Sequence, residues 1–206
     1  MSRTTFVAVL TVDQRGSRSG PDRVPALLDT LAGHRLLRPF ERTAGDELQG
    51  VVDDAATLAS VAGALLRAEA WYVGIGIGPV EEPLPASARA GRGAAYLHAR
   101  DAVTAAKNSP WNLRVVGEHP DARSLETTLW LWAAVLARRT ARGWEVADLV
   151  AEGLTYEEVG RRLGISQSAV SQRAQAAGIV EARRAQELAT TLAAGMLDAR
   201  SGGGDR

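Results

Sequence analysis

The chain has no cysteine among its 206 residues. That excludes disulfides, thiolate zinc sites and cysteine nucleophiles, and it fits a reducing cytoplasm. Lysine is nearly absent as well: Lys107 is the only one, and every other basic residue is Arg. Net charge is absent, with 24 basic against 24 acidic residues. The balance holds in each part: residues 1–120 carry 13 of each sign and residues 121–206 carry 11 of each. Neither part is a basic arm, so a nucleic-acid surface must concentrate its charge locally. A long apolar run is also missing. The longest, "LWLWAAVLA" from Leu129 to Ala137, is about half of a membrane span. The N-terminal run is too short for a signal peptide followed by a cleavage site. No Gly-x-Ser-x-Gly elbow and no internal repeat occurs. These absences predict a soluble cytoplasmic protein with no membrane partner, built as one large domain or two small ones.

What is present divides at about Pro120. Before it, strand-like and helix-like runs alternate. "TFVAVLTV" is rich in β-branched residues and reads as a buried strand. Helical spacing of Val24, Leu27, Leu28 and Leu31 follows, ending near Gly33. "RLLRPFERT" reads as a strand that Pro39 pushes toward an edge or a bulge. "AGD" is a turn, and "ELQGVV" returns as the second arm of a hairpin. Asp53 or Asp54 caps a helix whose apolar face is Leu58, Val61, Leu65 and Leu66. "WYVGIGIG" is a buried strand, Gly93 to Lys107 a helix, and "NLRVVGE" a last short strand. The order β-α-β-β-α-β, then α-β, predicts a ferredoxin-like, split βαβ arrangement over residues 1–120. After Pro120 no strand-like run remains. Residues 121–200 read as an all-α domain, with Ser124 as a cap and an apolar stripe of Ala185, Leu188, Leu192 and Met196. That stripe suits packing on the module described next or pairing with a second copy. The tail "SGGGDR", residues 201–206, reads as disordered.

Within the helical part, "LTYEEVGRRLGISQSAVSQRAQAAGI", residues 154–179, has the signals of a helix-turn-helix over residues 154–178. Thr155 and Glu158 form a capping box. Gly160 suits a close helix crossing, Gly164 a tight turn, and Ser166 caps the second helix, from which Val170 and Ala174 face inward. Gln167, Ser168, Ser171, Gln172 and Arg173 would then face a major groove, where Gln pairs with adenine and Arg with guanine. Ser166 joins them at the helix start, and Arg161 and Arg162 reach the phosphate backbone of double-stranded DNA. Residues 154–184 hold five Arg against three acids, a local excess of positive charge. The bland alternative is a helical hairpin used only for packing or dimerisation. The segment resembles the helix-turn-helix of sigma-factor region four. A homodimer would follow from the usual two-half-site logic.

A second constellation lies in the first part. Asp13 closes the first strand, and Asp46 and Glu47 sit at the hairpin tip. A split βαβ sheet brings that strand beside the hairpin, so Asp13 and Asp46 are expected within a few Å. Two carboxylates that close need a cation or a proton between them, and Mg²⁺ on such a pair suits nucleotidyl transfer. Arg15, Arg18 and Arg42 are the candidate phosphate ligands. The bland alternative is local: Asp after a strand and Asp in a turn hydrogen-bond their own backbone. His34, His98 and His119 are scattered and read as surface or satisfied residues. The glycines of "GIGIG" read as close packing or ligand approach, because no helix follows at the spacing of a dinucleotide loop.

"AGDEL" resembles the GGDEF signature of diguanylate cyclases, with Ala44 in place of the first Gly and Leu48 in place of Phe. "ARDAVTAAKNSPWNLRV" resembles the segment that closes that fold, with Lys107 at its Lys position. "VDQRGSRS" resembles the start of class III cyclases and polymerase palms. The whole chain is most similar to the SatD family, which shares the D-x-x-x-S-R, GDE-[FL]-QG and GIGIG pieces. The resemblance implies a palm-like domain joined to a helix-turn-helix. The short segment before the hairpin and Ala44 depart from the cyclase pattern. Three functions stand as expectations. The first is a transcriptional regulator whose palm-like domain senses a nucleotide or mediates assembly, with no cofactor required. The others are a metal-dependent cyclase or transferase, and an interaction module without DNA.

Overall fold

The computed structural model describes residues 5–17 and 19–198; Arg18 and the Gly-rich tail lie outside them. The chain is α+β, a five-stranded sheet followed by a helical C-terminal region. The strands are β1 (Thr5–Gln14), β2 (Arg38–Arg42), β3 (Glu47–Val52), β4 (Trp71–Val80) and β5 (Leu113–Val116). The helices are α1 (Val24–Leu31), α2 (Ala55–Ala68), α3 (Ala94–Ala106), α4 (Asp121–Leu136), α5 (Ala141–Ala151), α6 (Tyr156–Leu163), α7 (Gln167–Ala176) and α8 (Ile179–Leu197).

The sheet runs β2-β3-β1-β4-β5 and is mixed. The first four strands pair antiparallel, whereas β5 joins β4 in parallel. The parallel pair follows from the connection, since α3 carries the chain back across the sheet before β5 begins. Pro39 lies where the β2–β3 register shifts, on the edge strand, because a residue without an N–H cannot serve a central ladder. Asp54 caps α2 by accepting from Thr57 N.

Alternation along β1 feeds two cores. Ala8, Leu10 and Val12 face a large cluster with α1, α2, α4 and α8, while Val7 and Val9 face a smaller one with α3. Along β4, Val73, Ile75 and Ile77 join the large cluster, and the intervening glycines meet α3. A Cβ on Gly74 would lie 2.2 Å from Val103 N, and one on Gly76 would lie 2.1 Å from Ala99 N. The "GIGIG" run is therefore a bed for a helix: α3 lies directly on the strand backbone through Ala95, Ala99 and Val103. A ligand has no room there.

The helical part differs from its sequence reading in three places. Ser124 is inside α4, which starts at Asp121 behind Pro120; Pro sets the first turn without needing a side-chain cap. The helical stretch after it breaks before Thr140, which caps α5 by accepting from Gly143 N. In α8 the buried stripe is Ala182, Ala189, Ala193 and Met196, whereas Leu188 is 51% exposed. This helix packs on α4 and α2, where alanines permit a closer approach than leucines would. The large core thus runs without a break from the sheet into α4 and α8. Trp132 occupies the hollow left by Gly63 on α2, and Trp130 Nε1 donates to Leu113 O on β5. The buried Glu126 accepts from Val115 N at 2.9 Å and pairs with Arg114 at 3.3 Å. Among the described residues, no helix is long and apolar enough to cross a membrane.

Candidate nucleic-acid interface and hairpin site

The interface is built on α6 and α7. Thr155 Oγ1 accepts from Glu158 N, and Glu158 Oε2 accepts from Thr155 N at 2.8 Å, so the capping box closes in both directions. These bonds, led by the Thr155 N–H, hold the Glu158 carboxyl below its ordinary range. Gly164 ends α6 at φ +66°. Gly160 faces the turn: a Cβ there would lie 2.8 Å from Ile165 O, while Ile165 N donates to Gly160 O. The required small residue is thus explained by backbone crossing backbone. Ser166 caps α7 by accepting from Ala169 N. Val146, Val159, Val170 and Ala174 make a separate small core beneath the two helices.

That core orients α7. Gln167, Ser168, Ser171 and Gln172 are exposed, and Arg173 is half-buried. Gln175 extends the same exposed face. Sequence reasoning omitted Gln175, although its spacing of four from Ser171 was the available signal. Ser166 is exposed, and its hydroxyl lies 2.9 Å from that of Ser168. Arg161 and Arg162 are exposed in the last turn of α6, where cations also offset the helix dipole.

A clasp joins this module to the sheet unit. Arg67 on α2 donates two hydrogen bonds to Asp148 on α5, at 2.6 and 2.8 Å. The Arg67 and Arg139 guanidinia lie 4.2 and 4.3 Å from the Trp144 ring centroid. Arg139 Nε donates to Ala177 O just beyond α7. Burial and then the neighbouring Arg67 charge push Arg139 below its ordinary range, whereas Asp148 raises Arg67. No local sequence signal marks these residues, because they come from three separate helices and their flanks.

At the hairpin site the Asp13 carboxylate is paired within the chain. In the β1–β3 register Asp13 lies opposite Glu47, with Asp46 next in the turn. Lys107 Nζ is 2.8 Å from Asp13 Oδ2 and 5.7 Å from the Tyr72 ring centroid. Its pKa is raised by the hydrogen bond to Asp13, with smaller help from Tyr72 and Asp46. The cation beside Asp13 is therefore the chain's own ammonium. Glu47 turns back to accept from Thr43 Oγ1 at 2.6 Å. Arg42 is engaged by Asp22 at 2.6 Å, and together with Asp46, Gln14 and Ser17 they line a cleft of about 350 Å³. Arg15 sits elsewhere: its Nη1 donates to Glu69 O, and its guanidinium is 5.9 Å from the Tyr72 ring centroid. Among the described residues, no group of three or more His, Asp or Glu side chains is placed to hold a metal ion. The histidines have local partners: His34 with Ser60 Oγ, His98 with Ile77 O, and His119 with Asp121 N.

No curated protein and no solved structure matches the chain. The family model of sigma-70 region 4 matches residues 134–177, from the last turn of α4 through α5, α6 and α7, and so the C-terminal region contains a helix-turn-helix of this DNA-binding type.

Proposed function

We propose that the protein is a transcriptional regulator that binds double-stranded DNA through α7. The observation that carries this is the exposed polar face of Gln167, Ser168, Ser171, Gln172 and Gln175 on the second helix of a region-4-type module. Short amides and hydroxyls suit base edges in the major groove, Arg173 flanks them, and Arg161 and Arg162 stand where phosphates would run. Ser166 and Ser168 at the helix start supply further phosphate contacts. A homodimer reading two half-sites is the assembly this proposal implies.

The sheet unit is, on this reading, the palm-like regulatory part of a SatD-type architecture. The antiparallel order β2-β3-β1-β4 and the "GDELQG" hairpin beside β1 support it. The cleft by Asp46 and Arg42 supports nucleotide sensing there, with Lys107 holding Asp13. Mg²⁺ would enter only with a nucleotide whose phosphates draw Lys107 away from that carboxylate. Turnover by such a site requires further that the freed Asp13 hold the metal, whereas sensing requires binding alone.

The test is selection of fragments from a genomic DNA library by wild type and Arg173→Ala at two salt concentrations. A discrete repeated sequence bound by wild type and lost in the variant is expected. Only diffuse, salt-sensitive retention, or none, would reject sequence reading by α7. Nucleoside triphosphate turnover with Mg²⁺, abolished in Asp13→Ala and Asp46→Ala, would instead establish the enzyme.

A further inference from the structure

Three described non-glycine residues have a left-handed backbone: Glu69 at φ +53°, Trp111 at φ +57° and Asn112 at φ +53°. Glu69 is remote in sequence from the adjacent pair Trp111 and Asn112, yet all three line one cleft of about 380 Å³. Its floor is Leu65, Leu66 and Val73, and Arg15 stands at its side. This cleft is separate from the one at the hairpin: it lies between the end of α2, the start of β4, the short turn at Pro110–Asn112 and the last turns of α4.

Trp111 is the informative residue. A left-handed backbone costs a bulky side chain free energy that glycine escapes, and Trp111 holds it while 44% exposed. What tryptophan adds is an indole face presented beside an apolar floor. Strain of this kind collects where the surroundings hold a residue for a task. The polar groups at the rim are of both kinds. Arg15 donates, the Glu69 carboxylate accepts, and the Asn112 amide does either. Arg15 forms no ion pair with a carboxylate among the described residues.

We infer that this cleft is a binding site for a planar heteroaromatic ring that carries both donors and acceptors, of which a purine base is the reference chemistry. The ring stacks on Trp111 over Leu65, Leu66 and Val73, and its edge is read by Glu69, Asn112 and Arg15. The volume falls within the range of small-molecule sites. An aromatic acid would use Arg15 but set its charge against Glu69, which disfavours it.

The experiment is thermal unfolding of the full chain, wild type and Trp111→Gly, with guanosine, adenosine or salicylate each at millimolar concentration. The glycine variant accepts the left-handed backbone, and its own Tm without additive is the baseline for its response. A rise in wild-type Tm of a few degrees with a purine nucleoside, absent in Trp111→Gly, is the expected result. No nucleoside response in wild type, an equal response in the variant, or a shift with salicylate alone would overturn the assignment. DNA plays no part in this readout, so it can fail while DNA binding stands, and the reverse.

Discussion

The helix-turn-helix and the sheet unit are stabilised in opposite ways. The module rests on a small core, Val146, Val159, Val170 and Ala174 ringed by partly buried residues such as Leu149, Leu163 and Ile165, and on caps that close within a few residues. The sheet unit rests on a core that collects β1, β3, β4 and five helices from across the chain, with backbone laid against backbone at Gly74 and Gly76. A surface that must fit a groove keeps its polar face outward and needs only enough core to hold two helices at an angle. A scaffold that carries clefts needs depth. The difference teaches where each part is fragile: the module at its few apolar contacts, and the scaffold wherever a methyl group has no space.

The largest expected effect breaks the scaffold. Gly76→Val places atoms inside the α3 backbone, and a loss of about 3 kcal/mol or more is expected, since overpacking against a main chain has no rotamer to relieve it. Urea unfolding measures this; a loss under about 1 kcal/mol would refute the packing account. The next effect is on recognition. Arg173→Ala should cost about 1–3 kcal/mol of specific DNA binding while leaving the circular dichroism spectrum unchanged. Arg161→Ala should lower affinity for all sequences alike and reduce the salt slope by about one ion. A sequence-selective loss in the Arg161 variant would exchange the two roles.

A comparable change sharpens the contrast between the parts. Val159→Ala removes two buried methyl-sized groups, worth about 1–2 kcal/mol. Amide exchange should quicken in α6 and α7 and stay slow in β1 and β4. Equal acceleration in the sheet would mean that the two parts unfold as one. Arg67→Ala opens the clasp. Its ion pair with Asp148 is about half exposed on both sides, so solvent screening limits it to about 1 kcal/mol or less, with a similar sum from stacking on Trp144. A loss of several kcal/mol would show that the two parts share more than the clasp.

The smallest effect is acid sensitivity. Hydrogen bonds from Ser87 and the Arg89 N–H hold the Glu41 carboxyl below its ordinary 4.5, and Thr57 does the same for Asp54 below 3.8. A depressed folded pKa means that the unfolded chain binds the proton first. These groups therefore contribute fully above about pH 4.5 and lose their contribution as pH falls through the folded values. Glu41→Gln should flatten that acid limb in a pH series of urea midpoints, and an unchanged limb would assign acid lability elsewhere.

The legible parts were local. Thr155 and Glu158 sit three residues apart, so their capping box could be read from the string. So could the turn at Gly164, the cap at Ser166 and the inward spacing of Val170 and Ala174. The β-branched residues of "TFVAVLTV" marked β1 as a buried strand, and Pro39 marked an edge. The missed parts were not local. Nothing in "LWLW" says that Trp132 meets Gly63, and nothing near Arg67 names Asp148. Ser124 looked like a cap because capping residues are judged by type, while Pro120 had already set the helix start.

The same division holds for chemistry. By itself the sequence determined the two helices, the turn between them and most of the exposed face of α7, because a 3.6-residue period and a fixed turn place side chains from their neighbours alone. It also determined the carboxylate hairpin as a local feature. Only the tertiary structure decided what stands beside Asp13, because Lys107 arrives from a helix 94 residues later. Only the structure decided between close packing and ligand approach for the "GIGIG" glycines, making them a helix bed, and only it gathered Glu69, Trp111 and Asn112 around one cleft. Contacts between distant segments depend on how whole elements pack, and that packing is set by the summed shape of the core rather than by any short stretch of residues.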